Sequence, residues 1–131
     1  MYDQTIVIRG EPASKANSRR LVTIKGRPAF IRSSKAISYA NAFAAQCKEQ
    51  LTTAPTQDDV RVDLLIYYAS RRPDLDESII LDAMQGLVYI NDRQVKQRGV
   101  YWALDCDDPR AVIRIRSCDL SDIPEYLMVT K

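Results

Sequence analysis

Histidine is absent from the 131-residue chain. That absence excludes Ser-His-Asp and Cys-His hydrolysis, His-ligated zinc and imidazole acid–base catalysis. Cysteine is scarce: Cys47, Cys106 and Cys118 are odd in number and far apart, so they make neither a disulfide framework nor a CxxC pair. The 4 glycines and 6 prolines exclude a collagen-like or low-complexity chain. No GxGxxG or GxxxxGKS/T run occurs, so neither a dinucleotide fingerprint nor a P-loop is encoded. No apolar stretch approaches the roughly 20 residues of a membrane-spanning helix. The first residues, Met1-Tyr2-Asp3-Gln4, lack the basic region and apolar core of a signal peptide, and a cytoplasmic protein is expected. Any chemistry must therefore run on carboxylates, lysine, hydroxyls or a metal ion.

With 46% hydrophobic and 27% charged residues, the chain has the composition of a folded globular protein, and its length fits one domain over residues 1–131. The net charge of +2 conceals an asymmetry. Residues 1–35 carry eight basic side chains against two acidic ones, whereas residues 73–131 carry seven basic against eleven acidic. A basic third joined to an acidic half fits a polyanion-binding surface beside a carboxylate cluster, and equally two surfaces that neutralise each other in the fold.

Residues 4–9 alternate polar and β-branched side chains, as a half-buried strand does. GEPASKANSRR, residues 10–20, is a loop carrying cations. Two short apolar runs, Leu21 to Lys25 and Ala29 to Arg32, flank Gly26-Arg27-Pro28 and predict a hairpin. Ser33 or Ser34 is placed to cap a helix running to about Leu51, with Ile37, Ala40, Ala44, Cys47 and Leu51 on its apolar face. Residues 60–69 put Val60, Val62, Leu64, Ile66 and Tyr68 on one face and predict a central strand. Pro73 ends that strand, and Asp76 or Ser78 opens a helix to about Gln85 that Gly86 stops. Strands follow near Gln94–Leu104 and over Ala111–Arg116, and residues 119–131 show no period. This order implies an α+β fold: a two-layer single domain, a mixed β-sheet with helices packed on one face.

The segment RRPDLDESIILDAMQGLVYINDRQV, residues 71–95, concentrates the chemistry. Asp74 and Asp76 sit at the exit of a strand and the entrance of a helix, where rigid elements project side chains and the helix N-terminus favours anions. Asp92 stands in a turn leading into the next strand; if that strand lies beside residues 60–69, the three carboxylates converge. Clustered carboxylates repel unless protons or cations neutralise them, and an all-oxygen donor set selects a hard ion such as Mg²⁺ or Mn²⁺. Such an ion can orient a water and polarise a phosphodiester. A D-x-D is also ordinary helix capping by Asp76, while Glu77 and Asp82 fit dipole and solvated-face positions, so spacing alone leaves both possibilities open.

The runs RRPDLDE, LDAM and VYINDRQV resemble the RusA-type Holliday junction resolvases, small homodimeric endonucleases of phages and prophages. In that family a run of the form R-D-L-D-N opens a helix ending in LDAL, and a later D-D-x-Q-V supplies another acid. The N-terminal strand and the cationic loop GEPASKANSRR extend the likeness over most of the chain. The resemblance implies a Mg²⁺-dependent endodeoxyribonuclease, with Mn²⁺ as a substitute, that resolves four-way junctions by paired symmetric nicks in recombination, repair or phage DNA processing. It implies that Asp74, Asp76 and Asp92 are the catalytic and metal-binding acids, and that a homodimer matches the two-fold substrate without any membrane partner. Three features depart from the family pattern: Asn91 stands where many relatives have an acid, Glu77 stands where Asn is usual, and the helix between Asp76 and LDAM is about two residues shorter and has Ile79 and Ile80 but no catalytic lysine.

Lys15, Arg71 and Lys96 are candidates to supply the charge of that lysine. Lys15, Arg19, Arg20, Arg71, Arg72 and Lys96 are the candidate DNA-binding residues, with a solvated loop as the plain alternative for the first three. Tyr67, Tyr68, Tyr89, Tyr101 and Trp102 read as core or interface aromatics. The rival functions are a nuclease for flaps and forks, and a branched-DNA-binding protein with impaired catalysis, which the absent lysine permits.

Overall fold

In the computed structural model, which describes residues 1–14 and 19–129, strand β1 (Asp3–Arg9) is followed by β2 (Arg19–Ile24), β3 (Arg27–Arg32) and helix α1 (Ser34–Gln50). Then come β4 (Val60–Tyr68), helix α2 (Ser78–Ala83), β5 (Val95–Leu104) and β6 (Arg110–Ser117). The main sheet has the order β1-β6-β4-β5, and β2 and β3 form a separate two-stranded sheet. β6 pairs antiparallel with β1 and β4, whereas β4 and β5 are parallel, so the sheet is mixed and β4 lies inside it.

Strand alternation sends Ile6 and Ile8, Val60 through Tyr68 at every second position, and Ala111, Ile113 and Ile115 to one face, where all are buried. Both helices cover that face. Ala36, Tyr39, Phe43 and Cys47 of α1 and Ile79, Ile80 and Leu81 of α2 join the same core. The two-layer α+β arrangement expected from the order of elements is the one observed.

Locally the chain departs from expectation in ways that packing explains. Ser33 caps α1, its Oγ accepting the Ala36 N–H at 3.1 Å, but the buried stripe is Ala36, Tyr39, Phe43 and Cys47, and Ile37 is 46% exposed. The helix is rotated so that two aromatic rings face the sheet, burying more apolar area than Ile37 and the alanines would. The hairpin turns at Lys25-Gly26, both at positive φ (51° and 78°), as two-residue hairpin connections require, and not at Gly26-Arg27-Pro28. Pro28 sits opposite Thr23, one pair beyond the hydrogen-bonded turn pair, where its missing N–H breaks no ladder bond. α2 ends at Ala83, short of Gln85, and Gly86 takes φ 81° beyond it.

β1 is a sheet edge, and α1 clasps it. Gln50 accepts the Val7 N–H and donates to Val7 O, both at 2.7 Å, while Gln46 accepts the Arg9 N–H at 2.7 Å and donates to Arg9 O at 3.2 Å. Residues four apart on a helix rise about 6 Å, close to the roughly 6.8 Å between alternate strand residues, so the two glutamines act as a surrogate strand. The clasp satisfies an edge that would otherwise invite another chain. Gln46→Leu/Gln50→Leu is expected to cost about 2–4 kcal/mol in urea unfolding, because the edge groups lose four hydrogen bonds. An unchanged midpoint would show that the clasp does not stabilise the fold.

Cysteine reactivity reports the same packing. Cys47 is fully buried in α1, its thiol pushed up to about 11 by burial, whereas Cys106 is exposed. Iodoacetamide at pH 8 should modify Cys106 in the native protein and Cys47 only in denaturant, as read by peptide mass spectrometry.

Candidate active site

The chain leaves β4 at Tyr68 and reaches α2 through a segment tied down at several points. Glu11 Oε2 accepts the Ala69 N–H at 2.8 Å. Trp102 of β5 stacks on the Tyr68 ring, centroids 5.7 Å apart and planes at 24°, and its Nε1–H donates to Pro73 O at 3.0 Å. Tyr68 Oη accepts the Asp76 N–H at 3.2 Å. Asp76 Oδ1 accepts the Ser78 N–H at 3.0 Å and the Ser78 Oγ–H at 2.7 Å. Asp76 therefore starts α2 as an Asx turn, while Glu77 at the N-cap makes no side-chain cap bond. The capping role fixes the orientation of the Asp76 carboxylate.

Burial raises the Tyr68 phenol first; the bond from the Asp76 N–H pulls it back, and the carboxylates of Asp76, Glu11 and Glu77 raise it again. The charges of three carboxylates thus act on one buried phenol, with Asp74 exposed two residues before Asp76 on the same segment. Sequence reasoning missed Glu11. It sits 58 residues before Ala69 in the chain, and no spacing rule connects the end of β1 to the end of β4.

Asp92 belongs to a second group. It opens a 3-10 turn, Asp92–Gln94, that is capped reciprocally: Asn91 Oδ1 accepts the Arg93 N–H at 2.9 Å, and Gln94 Oε1 accepts the Asn91 N–H at 2.9 Å. Gln94 Nε2 also donates to Thr56 O and Asp58 O, and the Asp92 N–H donates to Gln85 Oε1 at 3.2 Å. Asn91, where many relatives carry an acid, serves here as the cap. Burial raises the Tyr89 phenol, and the nearby carboxylates of Asp92 and Asp82 raise it further.

β4 and β5 are neighbours, as the convergence of the three acids required, but they run parallel: Val60 faces Val95 and Tyr68 faces Leu104. Asp92 enters beside the start of β4, while Asp74 and Asp76 follow its end, and about 26 Å of strand separates those ends. Among the described residues, no group of three or more His, Cys, Asp or Glu side chains is placed to hold a metal ion. The donor chemistry suits a hard divalent ion. The placement of the described residues within one chain does not.

The cationic candidates are dispersed. Arg71 and Arg72 are exposed on the segment that carries Asp74. Lys96 is exposed at a bulge, the extra residue between the pairs Val60–Val95 and Arg61–Gln97. Arg20 is exposed on β2, which Arg19 opens, and Lys15 lies outside the described residues. On the open face of the main sheet, by contrast, four arginines are paired, Arg9 with Asp108, Arg61 with Asp63 at 2.9 Å, Arg110 with Asp105 at 2.8 Å, and Arg114 with Asp3 at 2.9 Å, while the buried Nε of Arg116 has no hydrogen-bond partner among the described residues. Arg110 also lies over the Tyr67 ring, 3.8 Å from its centroid. Tyr68 and Tyr89 are core residues, Trp102 is half-buried and Tyr101 is exposed. Ile79 and Ile80 are buried, so α2 presents no cation at those positions.

Fold and site together define a small α+β domain whose chemistry rests on carboxylates and guanidinium groups. The family model for endodeoxyribonuclease RusA matches residues 9–116, and the chain belongs to that family. The family is one of Holliday junction resolvases, so the chain is an endodeoxyribonuclease directed at branched DNA, and nucleases of this kind generally use a divalent metal. No curated protein matches the chain. Among the described residues no helix is long and apolar enough to cross a membrane.

Tyr68→Phe removes the acceptor of the Asp76 N–H and is expected to cost about 1 kcal/mol in urea unfolding. Amide exchange at Asp76 should accelerate about tenfold. Unchanged protection there would show that Tyr68 does not hold the segment.

Proposed function

We propose that the chain is a Mg²⁺-dependent resolvase, accepting Mn²⁺, that cuts four-way junctions by paired symmetric nicks as a homodimer. What supports this most is the segment from the exit of β4 into α2, which carries Arg71, Arg72, Asp74 and Asp76 and is held in place by Glu11 at Ala69 and by Tyr68 at Asp76. Asp74, Asp76 and Asp92 are its catalytic and ion-binding acids. Since one chain keeps Asp92 apart from the other two, the second subunit brings its own Asp92 to the Asp74 and Asp76 of the first. Two such shared sites, related by the two-fold axis, match a substrate cut at two symmetric positions. The bound ion supplies positive charge at the scissile phosphate. Tyr68 holds the backbone of Asp76, and Arg71, Arg72 and Lys96, with Lys15, Arg19 and Arg20, hold the flanking phosphates. The whole of residues 1–131 forms this one nuclease domain, working in the cytoplasm.

A second possibility is a junction-binding protein with impaired catalysis, favoured by a helix that has buried Ile79 and Ile80 and no catalytic lysine. The two separate on end-labelled four-way junction, fork and linear duplex in Mg²⁺, Mn²⁺ or EDTA. Symmetric, metal-dependent nicks confined to the junction are expected, reduced roughly 100-fold or more in Asp76→Asn. Tight junction binding without nicks would establish the impaired binder, and preferred cutting of forks would reassign the substrate.

A further inference from the structure

Residues 12–48 contain eight lysines and arginines and no acidic residue. Their centre is the β2–β3 hairpin, which is hydrogen-bonded into no strand of the main sheet. Arg20, Lys25, Arg27 and Arg32 are all exposed, and none forms an ion pair with a described residue, whereas Arg9, Arg61, Arg110 and Arg114 of the main sheet are each held by a carboxylate.

The hairpin also has two unlike faces. Val22, Ala29 and Ile31 are half-buried, while the opposite face carries Leu21 and Phe30, directly paired across the strands and 62% and 72% exposed. A cross-strand aromatic–aliphatic pair is rigid, because each side chain supports the other. Left uncovered on a folded surface, such a pair marks a contact site.

Charge decides what covers it. Two copies of this hairpin facing each other would set cation against cation, whereas a nucleic acid supplies phosphates for the cations and base faces for the apolar pair. We propose that the β2–β3 hairpin is a DNA-engaging arm. Arg32, on the face of the Leu21–Phe30 pair, and Lys25 at the turn grip phosphates where that pair lies against unstacked bases at the branch point, while Arg20 and Arg27 reach phosphates from the other face of the hairpin. Distorting a junction needs such an apolar wedge, since unstacked bases exposed to water are costly. The inference rests on the branched-DNA function proposed above and names the element that distinguishes a branch from a duplex.

The test uses the full chain in EDTA, so that binding is read without cleavage. The probes are a four-way junction with 2-aminopurine beside the crossover and a linear duplex of the same arm sequence, both titrated by fluorescence over a range of salt. Leu21→Ser/Phe30→Ser should lose roughly tenfold of the junction-over-duplex preference, together with the 2-aminopurine rise, while duplex affinity holds. Arg20→Ala/Arg27→Ala/Arg32→Ala should weaken both probes and flatten the slope of log K against log salt by about 2–3, since each lost phosphate contact removes roughly 0.9. Thermal melts matching the parent are expected, because the altered side chains are exposed.

Variants that bind both probes as the parent does would overturn the proposal. So would conversion of a dimer to a monomer by Leu21→Ser/Phe30→Ser in light scattering, which would make the pair a contact between copies. A parent that itself shows no preference for the junction would sink the branched-DNA function and this inference together; a selective parent with indifferent hairpin variants would sink only the latter.

Discussion

A strand that pairs parallel to its neighbour cannot reach it through a tight turn; the chain must travel back along the sheet before the next strand begins. Between β4 and β5 that return path is residues 69–94, and it carries Asp74, Asp76, Glu77, Asp82 and Asp92. Its only α-helix, α2, has six residues, too few to be stable alone. Burial of Ile79, Ile80 and Leu81 holds that helix from below, and the Tyr68–Trp102 stack with its bonds to Pro73 and Asp76 holds the segment leading into it. The parallel register thus does two things at once. It suspends the acidic segment from rigid strands, and it delivers the acids to two different ends of β4.

The separation gives assembly a chemical purpose. Asp92, kept apart from Asp74 and Asp76 within one subunit, adds no repulsion to that pair. In the proposed dimer, bringing the two groups together across a two-fold axis would create the anionic site only where a second subunit is present. Under the proposed function, such a nuclease would not cut as a monomer, and its two sites would match the two strands of a symmetric junction. The charge of the rest of the molecule follows the same economy. Arg9, Arg61, Arg110 and Arg114 of the main sheet are neutralised by Asp108, Asp63, Asp105 and Asp3, while the hairpin cations Arg20, Lys25, Arg27 and Arg32 have no ion pair with a described residue.

Much of this was legible in the sequence, for definite reasons. The unbroken alternation from Val60 to Tyr68 identified an interior strand, and Ser33 identified the start of α1, because both signals are local. The family resemblance nominates Asp74, Asp76 and Asp92 as the acids, and the structure places the first two after β4 and the third just before β5. What local pattern does not carry is strand direction. Adjacency of β4 and β5 entered the sequence reading only as a condition; the structure supplies it, and its parallel register brings Asp92 to the far end. Glu11 was invisible for the same reason: its partner Ala69 is brought to it by the β1-β6-β4 order and not by any spacing. The rotation of α1 was missed because periodicity ranks positions equally, while Tyr39 and Phe43 outweigh alanines in buried area.

The decisive measurement is subunit complementation. Asp76→Asn and Asp92→Asn proteins, each inactive alone, are mixed, exchanged under mild denaturant and assayed on a labelled four-way junction. If each site joins Asp76 of one subunit to Asp92 of the other, a mixed dimer contains one intact site, and single nicks should return to a substantial fraction of the parent rate. If both acids act within one subunit, every site in the mixture stays defective. Absence of cleavage in verified mixed dimers would contradict the shared site.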